Sequence, residues 1–211
     1  MVLISVIGWT PQVFDLFNPG SLMLTPSTAY IICTVGVFYY PAAMTAFFKW
    51  IAPWMRNKYG KARTLRFAEI YLTFAWQMQT VGFTSLTMTT TPFLDCFKEI
   101  PTIASTVIGL ILVALGIGSK IGAIFVTGYN TYYCFDMVLD TPNAYFVETG
   151  IYKFCGSPMY TVGRLTGFGA AIHYRSIPLL VASIADLITI NLFNCFVEQP
   201  FVKRMYGGIK Y

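Results

Sequence analysis

Two short polar clusters in the last third of the sequence have residue types that suit ligand chemistry. The first is Ser157–Tyr160 (SPMY), and the second, Glu198–Pro200 (EQP), follows 40 residues later. The residues between them are mostly apolar and indicate two membrane segments that meet at a turn near residues 175–178. A segment that enters the membrane and returns brings both clusters to the same face, side by side.

Two opposite charges lie between the clusters. Arg164 precedes Arg175 by 11 residues and Asp186 follows it by 11, so the two fall at similar depth on adjacent antiparallel segments. An unpaired charge near the middle of a bilayer costs about 2.5–3.5 kcal/mol on insertion scales. We therefore predict that Arg164 and Asp186 form an ion pair, which is either purely structural or part of a site. His173 lies beside the turn, away from the clusters, and we assign it no role.

A connecting loop is predicted over residues 127–157, where the chain leaves the apolar pattern. The stretch is rich in tyrosine and phenylalanine and carries Asp136, Asp140 and Glu148. Counting membrane crossings places it on the same side as the basic residues 49–66. A tyrosine-rich, acidic segment beside the two polar clusters predicts a binding site at this end of the molecule.

The composition identifies the environment of the chain. Of the 211 residues, 56% are hydrophobic and 11% are charged, against about a quarter charged in ordinary soluble domains. We predict an all-α fold, a polytopic integral membrane helix bundle with about five transmembrane segments, the last two forming a hairpin. Residues 1–211 form one membrane domain in this interpretation, with an interfacial segment at 1–24 and the motif-bearing helical hairpin at 158–200.

The first three transmembrane helices are predicted over residues 26–51, 67–91 and 102–126. Pro41 lies inside the first, where we expect a kink rather than a break, because neighbouring helices satisfy the carbonyl that proline frees. Gln77 and Gln79 are two residues apart and face different sides of the second helix. Only one of them is therefore expected to reach a shared site, and bonding between helices is the simpler role.

The positive charge of the chain is explained by the membrane. Six of the basic residues fall within residues 49–66, next to Trp50 and Trp54. Tryptophan at the interface with lysine and arginine beyond it is typical of the cytoplasmic side of a membrane protein, or of the matrix side in mitochondria. The basic residues form no aromatic-interleaved patch on a soluble face, so we predict no nucleic-acid partner. The membrane is predicted to be that of the endoplasmic reticulum or the inner mitochondrial membrane.

Two further patterns in the sequence exclude other kinds of site. The five cysteines show no CxxC or CxxH spacing, so we predict plain thiols and no metal site. Gly116, Gly118 and Gly122 are spaced much like a dinucleotide fingerprint, but no strand precedes them. We expect these glycines to allow close helix packing instead.

The two clusters together resemble the motifs of the phospholipid N-methyltransferases. In that family an Asn-Pro-Met-Tyr motif is followed at almost the same spacing by Glu-Glu-Pro-Phe, and here SPMY is followed by EQPF. The isoprenylcysteine carboxyl methyltransferases share the plan with an Arg-His-Pro-x-Tyr version, which fits less well. The resemblance covers residues 115–206, and the first two spans only by topology.

The resemblance implies a membrane enzyme that binds S-adenosylmethionine and methylates a phospholipid head group, phosphatidylethanolamine or its methylated derivatives. Glu198 would be the catalytic residue and would contact the cationic amino end of the cofactor. The cofactor pocket would be shaped by the residues that match the family motifs, which are Gly128, Pro158, Met159, Tyr160, Glu198 and Gln199. Tyr129, Tyr132 and Tyr133 would either face the sulfonium or anchor the chain at the interface.

Three positions depart from the family motifs. Ser157 replaces the first Asn, Gln199 replaces the second Glu, and a Gly-Asp-Tyr-Phe-Gly run in the loop is replaced by TYYCFDM (residues 131–137). Loss of a glycine where backbone approaches a ligand can close a pocket. Two interpretations therefore stand: an active methyltransferase, or a protein of this fold without catalysis that serves as a structural, lipid-binding subunit of a larger membrane complex, such as a mitochondrial respiratory one.

Overall fold

The described part of the chain is all-helical. The computed structural model describes residues 24–87, 100–141, 150–153 and 157–206, and no strand occurs among them. The interfacial segment expected before residue 24 and the predicted loop residue Glu148 lie outside these ranges. The longer helices are α1 (Pro26–Ala46), α2 (Ala52–Tyr59), α3 (Lys61–Thr87), α4 (Thr102–Thr127), α7 (Leu165–His173), α8 (Ile177–Phe193) and α9 (Gln199–Tyr206).

Short helical elements join these helices. Two π-helical segments, Phe47–Ile51 and Asn194–Glu198, connect α1 to α2 and α8 to α9 without a break. The predicted connecting loop contains α5 (Tyr129–Tyr132), α6 (Phe135–Leu139) and a 3-10 turn at Gly150–Lys153, and a second 3-10 turn, Val162–Arg164, precedes α7.

Three described stretches are long and apolar enough to cross a membrane, namely Pro26–Tyr59, Thr102–Thr127 and Ile177–Met205. Their outer faces are apolar, as lipid contact requires, and Phe125 is 84% exposed. The chain is therefore an all-α membrane helix bundle. The total of about five crossings stays a prediction.

The final hairpin turns where the sequence predicts. Arg175 adopts a left-handed conformation with φ of 51°, and Ser176 then caps α8 by accepting a hydrogen bond from the Leu179 amide. The first arm differs from expectation, because α7 has nine residues and extends for only about 14 Å. A helix of that length is shorter than half of the roughly 30 Å hydrocarbon layer.

The basic segment at residues 49–66 is helical, so the loop expected there is wrong. The helix that begins at Pro26 continues past residue 51 to Tyr59, and α3 begins at Lys61 rather than near residue 67. Arginine, lysine, methionine and alanine all have good helix propensity, and only Gly60 interrupts them. Pro41 lies inside α1, which runs through it unbroken as expected.

Small residues bring the helices close together at two crossings. Gly36 of α1 faces Gly82 of α3, and Gly109 of α4 faces Gly169 of α7. A Cβ atom added to Gly169 would lie 2.6 Å from the carbonyl oxygen of Gly109. Helices in lipid associate by such close van der Waals packing, since lipid chains are as apolar as the side chains.

Replacing Gly169 with alanine is expected to destabilise the bundle by roughly 1–3 kcal/mol, because the added methyl group forces α4 and α7 apart. Gly118→Ala is the matched control, since a Cβ at Gly118 meets no atom within 4 Å and alanine favours helix. Thermal unfolding in detergent measures both. A melting temperature lowered equally by the two substitutions would contradict the close crossing.

Candidate functional site

The two polar clusters lie side by side, as the sequence predicts. The Asn194 side chain donates a hydrogen bond to Ser157 Oγ at 3.4 Å, and the Asn191 side chain donates one to the Tyr160 carbonyl at 3.3 Å. Ser119 of α4 donates to the Pro158 carbonyl at 3.2 Å. The SPMY turn is thus fastened to α8 on one side and to α4 on the other.

The second cluster begins at the end of a π-helical segment that follows α8. Asn194–Glu198 is a π-helical segment, so the residues after it are rotated relative to a continuous α-helix. π-Helical segments of this kind occur frequently at functional sites. Here the segment ends on Glu198, the carboxylate that the family resemblance singles out.

Glu198 and Tyr160 form a buried polar group behind the SPMY turn. Glu198 Oε2 and the Tyr160 hydroxyl are both buried, and neither has a hydrogen-bond partner among the described residues. The carboxylate nevertheless interacts electrostatically with Tyr160 and with Cys134. Burial, followed by the Glu198 and Asp136 carboxylates, raises the pKa of the Cys134 thiol well above its usual value. Cys134 is therefore a neutral thiol at physiological pH.

A cavity of about 220 Å³ lies beside this group. Its wall is mostly apolar and aromatic, with Lys120 and Arg164 as its charged members. Its walls come from α1, α3, α4, the start of the connecting segment, the SPMY turn and the 3-10 turn after it. The lining residues are Tyr40, Met44, Leu72, Thr73, Trp76, Ile117, Lys120, Ile121, Ile124, Tyr132, Tyr133, Cys134, Phe135, Met159, Tyr160 and Arg164.

The predicted site residues fall at different places around the cavity. Met159 and Tyr160 line it, and Pro158 is fully buried beneath them. Gly128 ends α4 with φ of 78°, a conformation that favours glycine, although a Cβ there would meet no atom within 4 Å. Glu198 does not line the cavity itself but interacts with Tyr160, which does. Gln199 is the first residue of α9. The roles of these residues stay predictions.

Sequence reasoning missed many of the residues that build the site, among them three that hold the SPMY turn and two aromatic residues of the cavity wall. Asn191 and Asn194 hold the SPMY turn, and their spacing on an apolar helix just before the second cluster was a usable signal. Ser119 lies among the small residues of α4, which the sequence analysis assigned to helix packing. Tyr40 and Trp76 reach the cavity from α1 and α3, and no spacing in the sequence connects them to the motifs.

The predicted ion pair is confirmed. Arg164 Nη1 and Asp186 Oδ2 lie 2.8 Å apart, with side chains 13% and 7% exposed. Gln79 of α3 donates a hydrogen bond to the other carboxylate oxygen of Asp186. Gln79 is thus the member of the Gln77 and Gln79 pair that bonds between helices.

A second set of charges fastens the connecting segment to the basic end of the bundle. Arg56 donates hydrogen bonds to the carbonyls of Val138 at 2.7 Å and Met137 at 3.3 Å. Asp140 lies 3.7 Å from Arg56 and 2.5 Å from Arg204 of α9. The basic segment, the connecting segment and the helix after the second cluster therefore meet at one end of the molecule.

A concave, largely apolar cavity between helices with a few convergent polar groups is typical of a site for a small molecule or cofactor. The model of the phospholipid methyltransferase family matches residues 104–208, which is about half of the chain and includes both clusters. The chain belongs to the phospholipid methyltransferase family.

Two curated relatives agree with this assignment. A phosphatidylethanolamine N-methyltransferase of Pyrenophora tritici-repentis is 26% identical over 156 residues, which is 72% of this chain and 16% of that protein. A phosphatidylethanolamine N-methyltransferase of Phaeosphaeria nodorum is 29% identical over 76 residues, 36% of this chain and 8% of that protein. The chain thus spans less than a fifth of either relative. No solved structure matches it significantly.

Replacing Asp186 with leucine is expected to cost about 3–5 kcal/mol of unfolding free energy, because it leaves the buried Arg164 guanidinium unpaired. The double variant Arg164→Leu/Asp186→Leu removes both charges and should recover much of that loss. Unfolding by dodecyl sulfate in mixed micelles measures the difference. A double variant as unstable as the single one would show that the pair does not account for the cost.

Proposed function

We propose that this protein transfers a methyl group from S-adenosylmethionine to the amine of a phospholipid head group, phosphatidylethanolamine or one of its methylated derivatives. The observation that carries the proposal is the cavity lined by Met159 and Tyr160, the first of the two family motifs, with Glu198 of the second motif buried behind Tyr160. The curated relatives carry this activity in their names.

The residues around the cavity fit the cofactor. Tyr40, Tyr132 and Tyr133 contribute aromatic rings to the wall, and aromatic faces attract cations such as a sulfonium. Glu198 and Tyr160 are buried and interact with each other. The carboxylate has several lone pairs, so it can also accept a hydrogen bond from an ammonium group.

The proposed chemistry asks little of the protein. When bound, S-adenosylmethionine supplies an activated methyl group. Ile117, Ile121 and Ile124 make part of the cavity wall apolar, which disfavours water beside the reacting groups. Holding two reactants in line converts a bimolecular step into an effectively unimolecular one. A neutral amine that gains a methyl group must lose a proton before the next transfer. We propose that Glu198 accepts that proton through the Tyr160 hydroxyl, since Tyr160 lines the cavity and interacts with Glu198.

Two of the changed motif positions are compatible with this proposal. Ser157 accepts a hydrogen bond from Asn194, so the residue at this position helps to hold the turn. Gln199 keeps the shape of the family's second Glu without its charge.

We place the protein in the endoplasmic reticulum or inner mitochondrial membrane, with residues 49–66 on the cytoplasmic or matrix side.

The Glu198→Gln variant is expected to weaken binding of S-adenosylmethionine by roughly tenfold or more, because hydrogen bonds to charged groups contribute about 1.5–3 kcal/mol. Calorimetry on the full chain in lipid nanodiscs measures the dissociation constant. Glu69→Gln is the control, since that carboxylate lies on α3 and is only partly buried, whereas Glu198 is buried with Tyr160.

Transfer of labelled methyl groups to phosphatidylethanolamine in the same nanodiscs then tests the reaction itself. Cofactor binding with transfer supports the proposal. A folded preparation that binds no S-adenosylmethionine contradicts it, and would favour the second interpretation, a structural subunit of a larger membrane complex.

A further inference from the structure

Five exposed cationic side chains lie on the outside of the helical segment at residues 49–66. They are called the basic face below, and they are Lys49, Lys58, Lys61, Arg63 and Arg66. Within the part of the chain that the structure describes, none of the five forms an ion pair. They do not line the cavity, and the proposed reaction gives them no role.

The opposite side of the same segment packs inside the molecule. Ala52 and Thr64 have no exposed surface, and Arg56 donates hydrogen bonds to the carbonyls of Met137 and Val138. The structure therefore separates the six basic residues of this segment by face, with one turned inward and five outward. The positive-inside rule depends on the number of charges beside the membrane and does not require such an arrangement.

Among the described residues, little negative charge offsets the basic face. Glu69 is the one acidic residue in the described stretch 24–87, and Asp140 of the connecting segment is already held in ion pairs. Helix α3 also begins with no acidic residue in its first turn, so Lys61 and Arg63 lie at the positive end of the helix dipole. An anionic group from outside the chain is stabilised there by the dipole and by the cations together.

The length of the first helix carries the basic face to the level of the lipid head groups. The continuous helix Pro26–Tyr59 has 34 residues, and residues 26–48 carry no charge and are long enough to cross the roughly 30 Å hydrocarbon layer. Trp50 and Trp54 follow, 66% and 54% exposed, and tryptophan favours the membrane interface. Lys58 Nζ lies 5.1 Å from the centre of the Trp54 ring. The charged turns therefore lie just beyond the hydrocarbon, beside the lipid phosphates.

We propose that the basic face binds the head groups of anionic phospholipids in the leaflet that borders this end of the molecule. Clusters of about four to eight basic residues beside a membrane helix are typical of anionic-lipid recognition, and ammonium and guanidinium groups are good phosphate ligands. A lipid is favoured over a soluble acidic partner, because Trp50 and Trp54 hold the face at the membrane surface. The inference does not depend on the proposed function, since this surface lies outside the cavity.

Native mass spectrometry of the full chain in neutral detergent tests the lipid preference. The protein is equilibrated with equal amounts of phosphatidylglycerol and digalactosyldiacylglycerol that carry the same acyl chains. The first lipid has a negatively charged phosphate, and the second has neither a phosphate nor an amine. Neither lipid is a substrate or a product of the proposed reaction. The ratio of the two bound lipids therefore measures the preference for negative charge.

We expect the wild-type chain to prefer phosphatidylglycerol. Lys61→Gln/Arg63→Gln should lower the ratio of bound lipids by about fivefold or more, since one basic residue near a membrane surface contributes about that factor. Lys61→Arg/Arg63→Lys keeps both charges and should preserve the ratio. Lys153→Gln/Lys203→Gln removes two exposed charges outside the basic face and should leave the ratio unchanged.

Three results would overturn the inference. Equal binding of the two lipids by the wild-type chain would leave the basic face to a soluble acidic partner. An unchanged ratio in Lys61→Gln/Arg63→Gln would place the selection elsewhere on the chain, and an equal loss in both glutamine variants would show that net charge alone sets the preference. The melting temperature shows whether each variant is folded. If the first variant does not fold, Lys58→Gln/Arg66→Gln removes the same charge from the same face and is judged by the same ratio.

Discussion

The structure depends on the pairing of Arg164 with Asp186 inside the membrane bundle. Two buried charges carry a desolvation cost of several kcal/mol each, and their attraction offsets it only when the geometry is good. Here the contact is 2.8 Å, and Gln79 occupies the second carboxylate oxygen. The pair therefore joins the 3-10 turn to α8, and α8 to α3. Of these segments, α3 and the 3-10 turn contribute to the cavity wall, so the charge pair that stabilises the bundle also fixes part of the wall of its site.

The irregular backbone at the site follows from the same requirement for satisfied polar groups. Irregular backbone in a membrane helix bundle is tolerated where other protein groups bond to it. The SPMY turn meets this condition through Asn191, Asn194 and Ser119, which bond to its carbonyls and hydroxyl. Two asparagines and a serine would be unfavourable on helices that faced lipid alone. Their presence on α8 and α4 is explained by the turn that they hold.

Two long-range features of this fold can be predicted from the sequence, because they depend only on charged residues and on their spacing along the chain. The equal spacing of Arg164 and Asp186 about Arg175 predicts both the turn and the ion pair, and each is confirmed. The helical state of residues 49–66 was missed, because their charge resembles that of an interfacial loop while their propensity is helical. The contributions of Tyr40 and Trp76 to the cavity depend on how α1 and α3 pack against the rest, and that packing is set by Gly36 and Gly82.

The replaced glycine run bears on whether the cavity is open, because a lost glycine can close a pocket. Residues 131–137 fold into parts of α5 and α6, and four of them, Tyr132, Tyr133, Cys134 and Phe135, line the cavity instead of closing it. Cys134 adopts a left-handed conformation with φ of 58° while 3% exposed, although such a conformation costs a residue with a Cβ roughly 1–2 kcal/mol. Strained backbone of this kind clusters at functional sites, and at Cys134 it lies in the wall of the cavity.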